Sequence, residues 1–396
     1  MCFVIQNIKF LRLGTAETRP FRKMLKISAS NRLLLEITKK THTPKVIGRH
    51  CATSTGTETI SCLRYEKDPG AIFMQQDVQT LLKSITRLDL DKVFKQRAVK
   101  NNTVEYKFMT DAQLRQEIME SIKRAEHLLQ MPPVVDLMQD NPRVISKDGA
   151  LKAFSDCKMV FTDITYGLKN SKRTIVERLP DGTLKDVSHE ARKRLNQIYF
   201  PLKGRRINLP KMFETINLKK ILDEGKYEFV LNRACIQFEP YEKEYHDITS
   251  TVYEHVNEHK AFDTLRSSRH FGPMSFFLAW HRLVDDLLLD MVKRDYLRNG
   301  VELILLYCSL HDVSVGPDFH EMKQHILSTK PSILENDDKS IEDLETDEKY
   351  LSFVEKFITE HSIKKVQLNL AIAAYREMAK ERQLLQEGIR KMHGGR

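Results

Sequence analysis

Only one region of this 396-residue chain has the residue pattern of β-strands. Within residues 159–188, β-branched and aromatic residues flank the sequence Pro180-Asp181-Gly182, which is typical of a tight turn. The residues assigned to strands are Val160, Phe161, Ile164 and Tyr166 in the first, and Thr174, Ile175 and Val176 in the second. We therefore expect a small antiparallel sheet of two or three strands.

Helical spacing of apolar residues occupies most of the remaining chain. A first helix is predicted from the spacing of Val78, Leu81, Leu82 and Ile85. Thr110 with Gln113 forms a capping box at the start of a second helix, Ser188 caps a basic helix, and a long helix extends from about Ile363 to Gly388. The fold class is therefore mainly α with a small antiparallel β-meander (α+β), and its C-terminal half is an irregular helical array.

The positive charge of the chain is concentrated at its N-terminus. The formal net charge is +10, yet residues 1–50 alone contain eleven Lys and Arg against two acids. Basic residues alternate there with short apolar patches, which is typical of a mitochondrial transit peptide. The alternative is a basic arm that touches RNA.

Changes in composition divide the chain into five predicted segments. They are a disordered transit peptide (1–55), a linker (56–71), an N-terminal helical segment (72–150), the small β-meander with its basic helix (151–210) and a helical domain (211–396). No apolar run is long enough for a membrane span. The six cysteines are scattered without a C-x-x-C pair, which suits a reducing compartment.

A second basic stretch lies in the middle of the chain. Residues 168–220 contain fourteen Lys and Arg against five acids. Such a patch can neutralise phosphates without distinguishing bases, although a solvated helix and loop would have the same composition. The candidates for RNA contact are Arg192, Lys193, Arg194, Lys203, Arg205 and Arg206.

One short motif points to a different chemistry. The sequence His255-Val-Asn-Glu258-His259 has the H-x-x-E-H spacing of inverted zinc peptidases. Zinc also needs a third ligand, and the charged surroundings favour a solvated helix surface. Phosphate-binding loops, dinucleotide-binding glycine motifs and nucleophile elbows do not occur in the sequence. We therefore predict no catalytic residue, metal or cofactor, and a zinc peptidase remains a remote alternative.

Several segments resemble those of a known family and occur in the same order along the chain. VFTDITYG begins at Val160, LQMPPV at Leu129, FEPYEKEY at Phe238 and FDTLRSSRHFGPM at Phe262. These segments are similar to the mitochondrion-specific small-subunit ribosomal proteins numbered twenty-two, over about residues 72–310. That family's pattern does not require histidine at position 255 or 259.

The resemblance implies a structural, non-enzymatic protein of the mitochondrial ribosome in the matrix. Its expected partners are small-subunit rRNA and neighbouring ribosomal proteins, with no small-molecule substrate. The alternative is a mitochondrial RNA-binding or ribosome-assembly factor.

Overall fold

The computed structural model describes residues 68–95, 106–152, 156–317, 319–329 and 341–393. The predicted transit peptide and most of the predicted linker lie outside the described residues. The helices are α1 (Pro69–Phe73), α2 (Gln76–Thr86), α3 (Leu90–Val93), α4 (Asp111–Leu128), α5 (His189–Tyr199), α6 (Thr215–Asp223), α7 (Tyr227–Gln237), α8 (Lys243–Glu258), α9 (Phe271–Trp280), α10 (Asp285–Lys293), α11 (Leu297–His311), α12 (Phe319–Ser328), α13 (Ile341–His361) and α14 (Lys365–His393). The strands are β1 (Val144–Lys147), β2 (Met159–Thr162), β3 (Ile175–Arg178) and β4 (Thr183–Asp186).

The predicted fold class is confirmed, with one change in the sheet. The described part of the chain forms a four-stranded antiparallel sheet in the order β1-β4-β3-β2, not the expected two or three strands. Strands β2, β3 and β4 form the predicted meander, and β1 joins its edge beside β4. Ile164 and Tyr166 are outside β2, which ends at Thr162, and they belong to the loop that follows it.

The main predictions of helix position are also confirmed. All four apolar residues of the first predicted helix are buried in α2. The Thr110 hydroxyl accepts from the Gln113 amide while the Gln113 side chain accepts from the Thr110 amide, so both halves of the capping box at α4 form. The last helix, α14, extends from Lys365 to His393, which is five residues past its predicted end at Gly388.

Helices α9 and α11 form the centre of the core. Every residue of α9 from Phe271 to Ala279 is buried, as expected for a helix that is apolar on all sides. Helix α11 packs against α2, α9, α10 and α13, while α14 packs on α10. One hydrophobic core therefore includes residues from Phe73 in α1 to Tyr375 in α14. Among the described residues, none of the helices combines the length and apolar character needed to span a bilayer.

A segment without helix or strand, residues 129–143, connects α4 to β1 across this helical body. Met131 packs against the core, the Met138 amide donates to the Tyr241 carbonyl at 3.1 Å, and the Arg143 carbonyl accepts from Asp186. A Cβ atom on Gly272 of α9 would overlap the Met131 sulfur. Glycine at position 272 therefore leaves room for the Met131 side chain against α9.

Replacing Gly272 by alanine is expected to displace Met131 and loosen the 129–143 segment. The methyl group occupies the space of the thioether, so the segment loses an anchor while α9 gains helix propensity of about 1 kcal/mol. Hydrogen exchange should show faster exchange at Met138 in Gly272→Ala. Gly300→Ala is the matched control, because its added Cβ meets only the flexible end of Leu288. Equal exchange in the two variants would contradict the account.

Candidate nucleic-acid interface

Helix α5 carries three of the six candidate bases and points them in different directions. The Ser188 hydroxyl caps the helix by accepting from the Ala191 amide. Arg192 donates to the Arg173 carbonyl, and Lys193 pairs with the buried Glu242. Arg194 is exposed, and no partner for its side chain is found among the described residues. Two of these three bases therefore stabilise the fold.

The other three candidates lie in the loop after α5, residues 200–210. Arg205 is paired internally, because its guanidinium donates to Glu239 at 2.8 Å and to the Ile236 carbonyl at 3.2 Å. Lys203 and Arg206 are exposed, and their side chains have no partner within the described part of the chain. The three exposed bases are therefore Arg194, Lys203 and Arg206.

Two buried glutamines fix the backbone of this loop. Gln197 of α5 donates to the Arg205 carbonyl at 3.0 Å and accepts from the Leu202 amide. Gln237 of α7 accepts from the Arg206 amide at 3.0 Å and donates to the Arg206 carbonyl at 2.7 Å. The loop therefore holds Lys203 and Arg206 in place by its main chain, leaving their charges available to a ligand.

Two further bases near the sheet share one buried carboxylate. Glu177 of β3 is buried and lies 3.3 Å from the Lys158 ammonium and 3.2 Å from that of Lys185. Burial opposes its ionisation, but hydrogen bonds from Lys185 and Lys158 more than offset this and hold the pKa of Glu177 below its ordinary value. The single carboxylate of Glu177 therefore neutralises one of these two positive charges, and Lys185 is its partner from within the basic stretch.

Sequence reasoning missed the residues that fix the basic region. Arg173 is 3% exposed, and its guanidinium donates to backbone carbonyls of the loop between β2 and β3. In the sequence it is one more base in the run Lys-Asn-Ser-Lys-Arg, and Gln197 and Gln237 are ordinary helix residues. No local pattern distinguishes them, because their roles depend on backbone groups brought close by folding.

The H-x-x-E-H motif lies at the end of α8. The rings of His255 and His259 stack with centroids 4.0 Å apart, and both nitrogens of His255 are engaged, by the Tyr227 hydroxyl at 3.1 Å and by Asp223 at 3.3 Å. His259 lies against the His255 carbonyl. No group of three or more possible metal ligands occurs among the described residues. Both imidazole rings are therefore held by neighbouring groups of the protein.

The family model of the mitochondrial 28S ribosomal protein S22 matches residues 71–312. The small ribosomal subunit protein mS22 of Bos taurus and that of Mus musculus are each 38% identical to this chain over 239 residues. Each alignment covers 60% of this chain and 67% of the relative.

The described residues define the class of the fold: a mostly helical protein with a small antiparallel sheet. The matched region extends from α1 to the end of α11 and includes the whole sheet. The chain belongs to the mitochondrial ribosomal protein S22 family. Helices α12, α13 and α14 lie beyond the matched residues.

Proposed function

We propose that this protein is a structural constituent of the small subunit of the mitochondrial ribosome and supports mitochondrial translation. The observation that carries the proposal is the family match over residues 71–312. The protein acts in the matrix as a non-enzymatic component that contacts neighbouring ribosomal proteins and small-subunit rRNA. Co-sedimentation of the tagged protein with the small subunit tests this role.

Contact with rRNA is assigned to the three exposed bases. Arg194, Lys203 and Arg206 have no internal partners among the described residues, so RNA binding would not break an ion pair there. Phosphates attract such side chains irrespective of base sequence, and the contact releases condensed counterions. Arg192, Lys193 and Arg205 were candidates of equal standing in the sequence, and we assign them a supporting role because each of them contacts a group of the protein itself.

Reversing the charges of Arg194, Lys203 and Arg206 to glutamate is expected to weaken binding of the full chain to small-subunit rRNA. The plot of log affinity against log salt should become shallower by about one for each phosphate that the variant no longer neutralises. The melting temperature should stay close to that of the wild type, since exposed sites tolerate substitution. The measurement is rRNA binding across a salt series.

The matched control reverses Arg115, Lys123 and Lys380, which are exposed bases on α4 and α14. This variant has the same change in net charge. It should retain the wild-type dependence on salt except for a small general electrostatic effect. If both variants show the same decrease in affinity and in slope, the three exposed bases do not form a specific contact.

A further inference from the structure

The loop between β2 and β3, here the 163–173 loop, exposes an unusual set of apolar side chains. Tyr166 is 95% exposed, Ile164 66% and Leu168 39%. Single exposed apolar residues are ordinary, but three within five positions on one loop are typical of a contact surface. The ring of Tyr166 is open to solvent over almost its whole area.

The buried side chain of Arg173 fixes the conformation of this loop. The Arg173 guanidinium donates to the carbonyls of Thr165 at 2.7 Å, Leu168 at 3.0 Å and Asp163 at 3.2 Å. It also stacks 3.3 Å from the centroid of the Phe200 ring. A planar group with several fixed donors suits this task, which lysine could not perform. The loop is therefore ordered before any ligand binds, which lowers the entropy cost of binding.

The charged residues of the loop favour a nucleic acid over a protein as its partner. Lys169 and Lys172 are exposed, and no acid of the described chain pairs with them. The one acid, Asp163, accepts from the amide and hydroxyl of Thr165, and these hydrogen bonds hold its pKa below its ordinary value. Lysine is depleted at protein interfaces, whereas an exposed aromatic ring beside bases is the arrangement that binds single-stranded nucleic acid.

We propose that the 163–173 loop binds an unpaired nucleotide of RNA, with the Tyr166 ring stacked on the base and Lys169 and Lys172 beside the flanking phosphates. The proposal rests on the proposed function insofar as that RNA is small-subunit rRNA. Paired bases are excluded because both of their faces are already stacked in a duplex. Stacking is tolerant of sequence, so an accessible unpaired base is the requirement.

The test uses the purified full chain and two fluorescent RNA probes with the same stem. One is a hairpin with an adenosine-rich unpaired loop, and the other is the blunt duplex. Tyr166→Ala should lower affinity for the hairpin at least about fivefold, while Tyr166→Phe, which keeps the ring, should bind like the wild type. Affinity for the duplex should be unchanged. Tyr106→Ala removes another tyrosine, 75% exposed, and should change neither affinity.

Two experiments could overturn the inference. In the first, Tyr166→Ala would bind the hairpin like the wild type, or would lose affinity equally for hairpin and duplex. The other uses a photo-crosslinking amino acid at position 166 in assembled subunits: attachment to a ribosomal protein instead of rRNA would identify a protein-docking loop. Neither result affects the structural role. Failure of the full chain to co-sediment with the small subunit would instead contradict the proposed function while leaving the hairpin result intact.

Discussion

Replacing Gly182 by alanine is expected to detach β1 from the sheet. Gly182 has φ +83°, and a Cβ atom at this position would overlap the carbonyl oxygen of Asp148. The left-handed conformation alone costs a non-glycine residue about 1–2 kcal/mol. The overlap adds to this because backbone, not a flexible side chain, must move. The hydrogen bond from the Asp148 amide to the Gly182 carbonyl, 3.1 Å long, then cannot be kept.

Hydrogen exchange across the β1–β4 pair is the measurement for this variant. Protection should fall at Ser146 and Lys147, which pair with Leu184 and Thr183, and the melting temperature should decrease. Gly225→Ala is the matched control, because Gly225 also has a positive φ of +71° but no heavy atom near its added Cβ. The control should show only the conformational cost. If Gly182→Ala is no less stable than Gly225→Ala, the close packing of Gly182 against Asp148 is not important.

Replacing Glu302 by alanine is expected to destabilise the helical core by about 1–3 kcal/mol, the cost of leaving a buried hydrogen-bond donor without its acceptor. Glu302 is 1% exposed in α11 and accepts from the Ser84 hydroxyl at 2.6 Å, Asn299 at 2.9 Å and the Arg298 guanidinium at 3.1 Å. Its removal deprives the Ser84 hydroxyl of its acceptor and takes one acceptor from Asn299 and Arg298, so α2 and α11 lose one of the hydrogen bonds that join them. Urea unfolding of the full chain measures the destabilisation. Glu126→Ala, at an exposed site on α4, should be close to neutral.

The buried carboxyl group of Glu302 should also make the stability of the protein depend on pH. Burial raises the pKa of Glu302 above its ordinary 4.5, although hydrogen bonds from Ser84, Asn299 and Arg298 favour the ionised form. The folded state therefore holds this proton more tightly than the unfolded chain. The resulting stabilisation is fully present below pH 4.5 and is lost as the pH rises through the raised folded pKa. The wild type should lose stability relative to Glu302→Gln over that range, and a constant difference would contradict this assignment.

The helices and strands that could be predicted are those whose own residues form a recognisable pattern. The apolar stripe of α2 and the capping box of α4 each depend on the spacing of a few neighbouring residues. Both can therefore be recognised without knowledge of the fold. Strand β1 was missed because all four of its residues, Val144 to Lys147, are exposed. It has no buried face to produce an alternating pattern, so its pairing depends on the backbone of β4.

For the basic stretch, residues 168–220, the sequence likewise could not show which bases are available to a ligand. Its charge could be read from composition, but which bases are paired could not. Lys193 pairs with Glu242, 49 positions away, and Arg205 pairs with Glu239, 34 positions away. Only the fold brings these groups together. The division between supporting bases and the exposed Arg194, Lys203 and Arg206 is therefore a property of the tertiary structure.

The helices outside the family match also contribute to the core. Leu368, Ile372 and Tyr375 of α14 are buried, and the Tyr375 hydroxyl donates to Asp347 of α13 at 2.7 Å. Lys364 pairs with Asp286 of α10 at 2.6 Å. Helices α13 and α14 are thus part of the same hydrophobic body as the matched region, and the tagged protein should retain them in any functional experiment.

Sedimentation of the tagged full chain from a mitochondrial lysate tests the central claim most directly. Core proteins of the small subunit and of the whole ribosome provide the markers on the sucrose gradient, and quantitative mass spectrometry gives the copy number in each fraction. The account predicts that the protein follows both the small-subunit and the whole-ribosome peaks at the stoichiometry of a core ribosomal protein. Sedimentation at the top of the gradient, or only with immature subunits, would contradict a structural role and favour an assembly factor.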